Sequence, residues 1–458
     1  MRVALSAGTA AIGVAMGGGL LAYGMAVPEE AELWKAAGLG LAALTLFATR
    51  VVPELVTAFA VFLVALALAT VPREIVFSGF MSGGFWLLVS GIILGTAISS
   101  TGLAARISGR MMAVAGPSYP RAVLVIAAAG MFLGLLIPST MPRIVVMVPV
   151  ALSFASRLGL RQDGPGTVGL VATAVTATLL PTYTILTANL PTIVHVGAID
   201  QLYGVRSTYS GYLWHQLPVN ILRFALLVVL MRRFTTEPVT AATDTSAPET
   251  PEKPEQRRLL AILAVAILLW MTDFIHGIEP AWIAMAAAAV VIWPRFGMLG
   301  PKAMREQIDL SPAIFFAAIV TAVAVARDSG LDQLLADAII GAIPISANGG
   351  LASTYGVFFF SVVISHLTTA PAAPAVLAPF AQPLAHATGL SLEAVSMTQI
   401  IGISTPLIPY QAPPLIVAMS LSGLSNGVFM RICLWLAVAV TLLGIPLSYA
   451  WWWMTGFV

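Results

Sequence analysis

The chain has 458 residues, of which 59% are apolar and only 9% are charged, and its formal net charge is +2. With roughly a third of the charge of a soluble domain it cannot cover itself in water, so a soluble globular fold is excluded and the bilayer is its solvent. The basic residues are scattered among loops, which argues against nucleic acid as a partner, and the single Cys433 excludes an internal disulfide or a cysteine-based metal cluster.

In chain order, residues 1–30 contain a first predicted span at 5–27. It is too long and Gly-rich for a signal peptide, and it lacks a cleavage site before the acidic segment 28–32. Residues 31–231 form a first repeat, with spans expected at 33–49, 55–71, 79–99, 168–200 and 211–231. Within it, 121–158 is too long for one crossing and reads as a hairpin: a helix, a tip at Pro138-Ser139-Thr140-Met141-Pro142, and a returning helix. Residues 232–258, rich in Pro, Thr, Glu and Ala, read as a flexible cytoplasmic linker. The second repeat, 259–458, predicts spans at 259–275, 281–294, 311–327, 394–421 and 430–455, with a second hairpin at 353–388 and its tip at Thr369-Ala370-Pro371. Landmarks recur in the same order in both halves: Ser100-Thr101-Gly102-Leu103 is answered by Asp328-Ser329-Gly330-Leu331, and Asn189-Leu190-Pro191 by Ala412-Pro413-Pro414.

Positive charge orients the chain. With the N-terminus in the cytoplasm and the first hairpin entering from that side, Arg106, Arg110, Arg121, Arg157 and Arg161 all lie inside, while Lys35, Arg73, Arg206 and Arg327 face out. The expected fold is an all-α integral membrane protein with about eleven crossings and two re-entrant hairpins in two inverted repeats, lodged in the cytoplasmic (inner) membrane.

Unwound backbone at membrane depth is tolerated only where it is buried in protein or lines a cavity. The spans at 168–200 and 394–421 are interrupted by Pro181, Asn189 and Pro191, and by Pro406, Pro409, Pro413 and Pro414. Together with the two tips they mark a candidate solute site, where freed amides bind anions and freed carbonyls bind cations. Arg143, on the first turn after the first tip, either pairs with a substrate carboxylate, stands in for a sodium charge, or caps carbonyls of a neighbouring helix. Arg223 pairs with backbone carbonyls or Asp273, or acts on the solute. His366 either couples protons or packs. The run 451–453 of tryptophans reads as an interfacial anchor at the outer surface.

On these residues the chain resembles the divalent anion:sodium symporter family, the carriers of dicarboxylates, citrate and sulfate. That family has a Ser-Asn-Thr signature at each hairpin tip, 10 residues before a helix proline; here counting back from Pro149 gives Ser139-Thr140-Met141 and from Pro379 gives Thr369-Ala370-Pro371. The hydroxyl position survives in both halves and the asparagine in neither. The family's Thr-Pro-Pro motifs are similar to Ala188-Asn189-Leu190-Pro191-Thr192 and Gln411-Ala412-Pro413-Pro414. The resemblance implies an elevator transporter with a dimeric scaffold and a moving domain built from the hairpins and broken helices. It implies substrate contacts at Ser139, Thr140, Arg143, Asn189, Pro191, Thr192, Thr369, Ala370, Pro413 and Pro414, and ion binding or coupling at Ser139, Thr140, Thr369 and His366. In relatives the tip asparagines help hold sodium, so their loss leaves the coupling ion open between sodium and protons, and leaves symport and exchange both open.

The expected function is therefore secondary transport of a small anion: a dicarboxylate, a citrate-like or a sulfate-like solute. The expected partners are that solute, membrane lipid and a second copy of the chain. An anion channel on the same fold is the alternative. A membrane-embedded enzyme is a weaker one, because the 5 His are dispersed with no HExxH-like or paired-carboxylate motif to supply catalytic residues, and no cofactor is expected.

Overall fold

The computed structural model describes residues 2–49, 51–68, 71–103, 106–107, 110, 114–137, 139–233, 253–334, 349–368, 370 and 372–458. The described chain is helical throughout, as long apolar segments in lipid must be when each has to satisfy its own backbone polar groups. Among these residues seven helical stretches are long and apolar enough to cross a membrane, and shorter apolar helices supplement them.

The first long helices are α1 (Arg2–Ala26), α2 (Ala31–Thr49), α3 (Glu54–Leu68) and α4 (Gly83–Thr101). The Ser82 hydroxyl accepts a hydrogen bond from the Phe85 amide at 3.2 Å and so caps the start of α4, and Gly102 ends the helix at φ 71°, which a residue with a Cβ resists. The expected hairpin follows as α5 (Tyr119–Leu136) and α6 (Thr140–Arg157), joined by a tip of a few residues from which Pro138 lies outside the described set. Next comes the broken span: α7 (Pro165–Leu179), a 3-10 turn at Pro181–Thr184, and α8 (Leu190–Tyr203). The half closes with α9 (Tyr209–Arg232).

Most of the expected linker, 234–252, lies outside the described residues, and α10 begins at Pro254 and runs to Met271. It is followed by α11 (Pro280–Val291), α12 (Ser311–Asp328) and α13 (Leu351–Leu367). The second tip then turns into a returning limb in three pieces, Ala373–Leu377, Ala378–Phe380 and Ala381–Thr388, with Thr369 and Pro371 outside the described residues. The second broken span is α14 (Leu392–Ile403), a 3-10 turn at Pro409–Gln411, and α15 (Pro413–Ser422). The last is α16 (Asn426–Ala439), a π-turn at Val440–Gly444, and α17 (Ile445–Met454).

Packing sorts these helices into two bodies. The first comprises α1 to α4 with α10 to α12; the second comprises α5 to α9 with α13 to α17, so each hairpin packs with both broken spans. The bodies meet mainly where α8 crosses α4 and α12. That crossing is close because it is made of glycine: a Cβ on Gly84 would lie 2.9 Å from the Phe316 ring and 3.1 Å from the Gly197 Cα.

Two sequence expectations are corrected here. Trp451 and Trp452 are not simply interfacial anchors: their indole N–H groups donate to the carbonyls of Trp214 and His215 at 3.1 and 3.0 Å, Trp452 is fully buried, and the pair locks α17 onto α9. Of the structural partners expected for Arg223, a backbone carbonyl is found, that of Ile401, and Asp273 is not. The Asp273 carboxylate takes the backbone N–H groups of Tyr209 and Ser210 and the Ser210 hydroxyl, capping the first turn of α9, while Arg223 lies further along that helix and turns toward α14. A carboxylate at a helix N-terminus satisfies donors that otherwise have no partner, which is why Asp273 was drawn to the cap.

Candidate functional site

The first tip folds back onto the first break. The Thr140 hydroxyl donates to Asn189 Oδ1 at 2.8 Å, and Asn189 Nδ2 donates to the Thr182 hydroxyl at 3.3 Å. Arg143, fully buried, spans the same junction. Its Nε donates to the Ser139 carbonyl at 3.1 Å, and its Nη2 donates to Thr140 Oγ1, the Ala188 carbonyl and Asn189 Oδ1 at 3.0, 2.6 and 3.2 Å. Nη1 has no hydrogen-bond partner. It rests over Gly134, where an added Cβ would come within 2.8 Å of it.

The electrostatics are one-sided. Arg143 stands at the N-termini of α6 and α8, the positive ends of both helix dipoles, and among the described residues no carboxylate forms an ion pair with it. A buried guanidinium without a counter-charge costs several kcal/mol, which neutral carbonyls offset only in part. The arrangement is a place where an anion is stabilised.

The second tip folds onto the second break in the same way. The Ala370 amide donates to the Gln411 carbonyl at 3.3 Å, and Gln411 Nε2 donates to the Ser365 carbonyl at 2.6 Å. His366 joins them: the Leu407 amide donates to its Nε2 at 3.0 Å, and its Nδ1 faces the Val362 carbonyl at 2.6 Å, so Nδ1 is the donor. Pro413 and Pro414 open α15, and Pro191 sits near the start of α8 beside the buried Thr192; at helix starts the missing proline N–H is no loss. Ser139 precedes α6 with its side chain exposed, contributing its carbonyl to Arg143.

Between the two breaks is a small, mostly apolar pocket of about 10 Å³, bounded by Leu180 and Tyr183 from the first, Ile403, Pro406 and Gln411 from the second, and Ala370 from the second tip. Tyr183 is close enough to both Arg143 and Arg223 to feel their charge. Arg223, 1% exposed, donates through Nη1 to Asn220 Oδ1 and Ser404 Oγ at 2.9 and 2.8 Å, and through Nη2 to the Ile401 carbonyl and Thr405 Oγ1 at 3.4 and 2.8 Å. The sequence reading named Arg143, Asn189 and the tip hydroxyls. It missed Thr182, Tyr183, Ser404 and Thr405, whose signal was polarity inside an apolar span, Pro181-Thr182-Tyr183-Thr184 and Ser404-Thr405-Pro406, and it had Gln411 only as the head of a motif. Thr369 lies outside the described residues, so its place relative to the cavity is not assigned.

Two helical hairpins folded onto two broken helices, in a multi-pass membrane protein helical throughout its described residues, are the architecture of a membrane transporter. The family model for citrate transporters (CitMHS) matches residues 44–402, and the chain belongs to that family, in keeping with its resemblance to the divalent anion:sodium symporters. Among curated proteins it is 23% identical over 380 residues to a membrane protein of Cupriavidus necator, covering 80% of this chain and 73% of the relative. It is 23% identical over 388 residues to an uncharacterized transporter of Haemophilus influenzae, covering 78% and 79%. The crystal structure of the Alcanivorax borkumensis YdaH transporter, described as having an unusual topology, shares the fold with a TM-score of 0.56 at 21% identity, covering 83% of this chain and 87% of that one.

Proposed function

We propose that this chain is a secondary transporter of a small anion, a dicarboxylate, citrate-like or sulfate-like solute, working by elevator-type alternating access. In this reading the body of hairpins and broken helices carries the solute along the other body. The chain sits in the cytoplasmic membrane as a homodimer with its N-terminus inside. The observation that carries the anion assignment is Arg143: a buried guanidinium with a free Nη1, set at two helix N-termini and without a carboxylate partner among the described residues. The partition of the helices into two bodies meeting at a glycine crossing supports relative motion, because small residues let helices slide with little side-chain interlock. Counterflow in proteoliposomes is the test. Saturable, trans-stimulated uptake of citrate, a dicarboxylate or sulfate is expected; its absence for all three classes overturns the reading.

A further inference from the structure

At each helix break a cation already sits among neutral oxygens, and it belongs to the chain. Around Arg143 the oxygens are the carbonyls of Ser139 and Ala188, the Thr140 hydroxyl and the Asn189 amide oxygen. Around Arg223 they are the Ile401 carbonyl at the C-terminal end of α14, the hydroxyls of Ser404 and Thr405, and the Asn220 amide oxygen. Each set joins carbonyl oxygen from a helix break or helix end to hydroxyl and amide oxygens, with no carboxylate. Carbonyls released by unwound helices are the ligands with which broken-helix transporters hold a mobile monovalent cation. Here a guanidinium occupies each set.

We propose that Arg143 and Arg223 are tethered coupling cations: each fills an oxygen cradle that would otherwise hold sodium, so the transport cycle needs no sodium, and a cradle emptied of its arginine takes sodium up. This rests on the anion-transport reading and adds the coupling to it. Two lines of chemistry support it. Both guanidinium groups are buried and lack an acidic partner among the described residues, so their positive charge is available to a solute anion, as a co-bound ion's would be. And each arginine comes from a different element and takes a different end of its break: Arg143, on the hairpin, meets the start of α8, and Arg223, on α9, meets the end of α14. What the two share is the chemistry of the oxygens around them.

The experiment compares purified wild type with Arg143→Ala, Arg223→Ala and Arg143→Lys, in sodium chloride and choline chloride at equal ionic strength. Thermal unfolding reports sodium binding directly, and counterflow reports coupling. The wild type is expected to show the same midpoint in both salts and equal counterflow. At least one alanine variant is expected to gain about 2 °C or more in sodium at saturation, since a ligand bound only by the folded state raises apparent stability. Arg143→Lys, which keeps a charge in the cradle, should be insensitive to sodium. Sodium-dependent stability or counterflow in the wild type overturns the proposal, even if no alanine variant folds. So does the absence of a sodium effect in every folded alanine variant. Wild type that carries no anion under any salt defeats the transport reading instead, while the sodium midpoints still decide whether the cradles are cation sites.

Discussion

At the scale of single residues, the site depends on what is missing as well as on what is present. Gly134 is the clearest case, because its hydrogen occupies the space where a methyl group would press on Arg143 Nη1 at 2.8 Å, on Thr182 at 2.7 Å and on Ile185 at 3.2 Å. All three neighbours are buried side chains, so a methyl there crowds the guanidinium along with them. Gly134→Ala is expected to cost about 1–3 kcal/mol of overpacking and to weaken solute affinity about tenfold, read as a lost ligand-induced rise in unfolding temperature. Gly130→Ala is the control: its methyl would meet Thr178 at 2.9 Å, away from the guanidinium, so it should lower stability without changing ligand response. Equal effects on ligand response from both substitutions would remove Gly134 from the positioning of Arg143.

At the scale of elements, the helices were legible in the sequence wherever apolar length and proline spoke together. The two hairpins and two broken spans lie within a few residues of where Pro138, Pro142, Pro181, Pro191, Pro409 and Pro413 put them. The partners of the polar side chains were not legible, because they are set by contacts across the chain. Arg223 finds Ser404 at a separation of 181 residues, and Trp452 finds His215 at 237; no periodicity encodes either. Asp273 is the opposite case: it falls where relatives of the resembled family carry Glu, which implied a helix-linking role, and the cap it forms on α9 is such a role. The hairpin α5–α6 is expected to enter and leave from one side. Single cysteines at Ser118 and Asp163, placed in a variant lacking Cys433, should both react with an impermeant maleimide from the cytoplasmic side. Labelling from opposite sides would turn the hairpin into two crossings and undo the inverted repeat.

At the scale of the whole molecule, the elevator reading proposed above meets two buried positive charges in one body, and these set a rule for its travel. With a doubly charged anion aboard, that body is close to neutral; empty, it carries both charges through a low-dielectric seam, which is the costlier trip. Exchange is therefore expected to outrun net flux, with efflux of radiolabelled solute into solute-free buffer at least about tenfold slower than into buffer containing solute, as about 1.4 kcal/mol of added barrier gives. Equal rates would mean that the empty return is not penalised. The cap on α9 adds a geometric condition. Asp273, in the short turn after α10, holds the first turn of α9, a helix of the body that the elevator reading sets in motion. In that reading a body tethered at this carboxylate would swing and not rise straight, so the solute's expected route is an arc, short near the pin and long at the far end of α9.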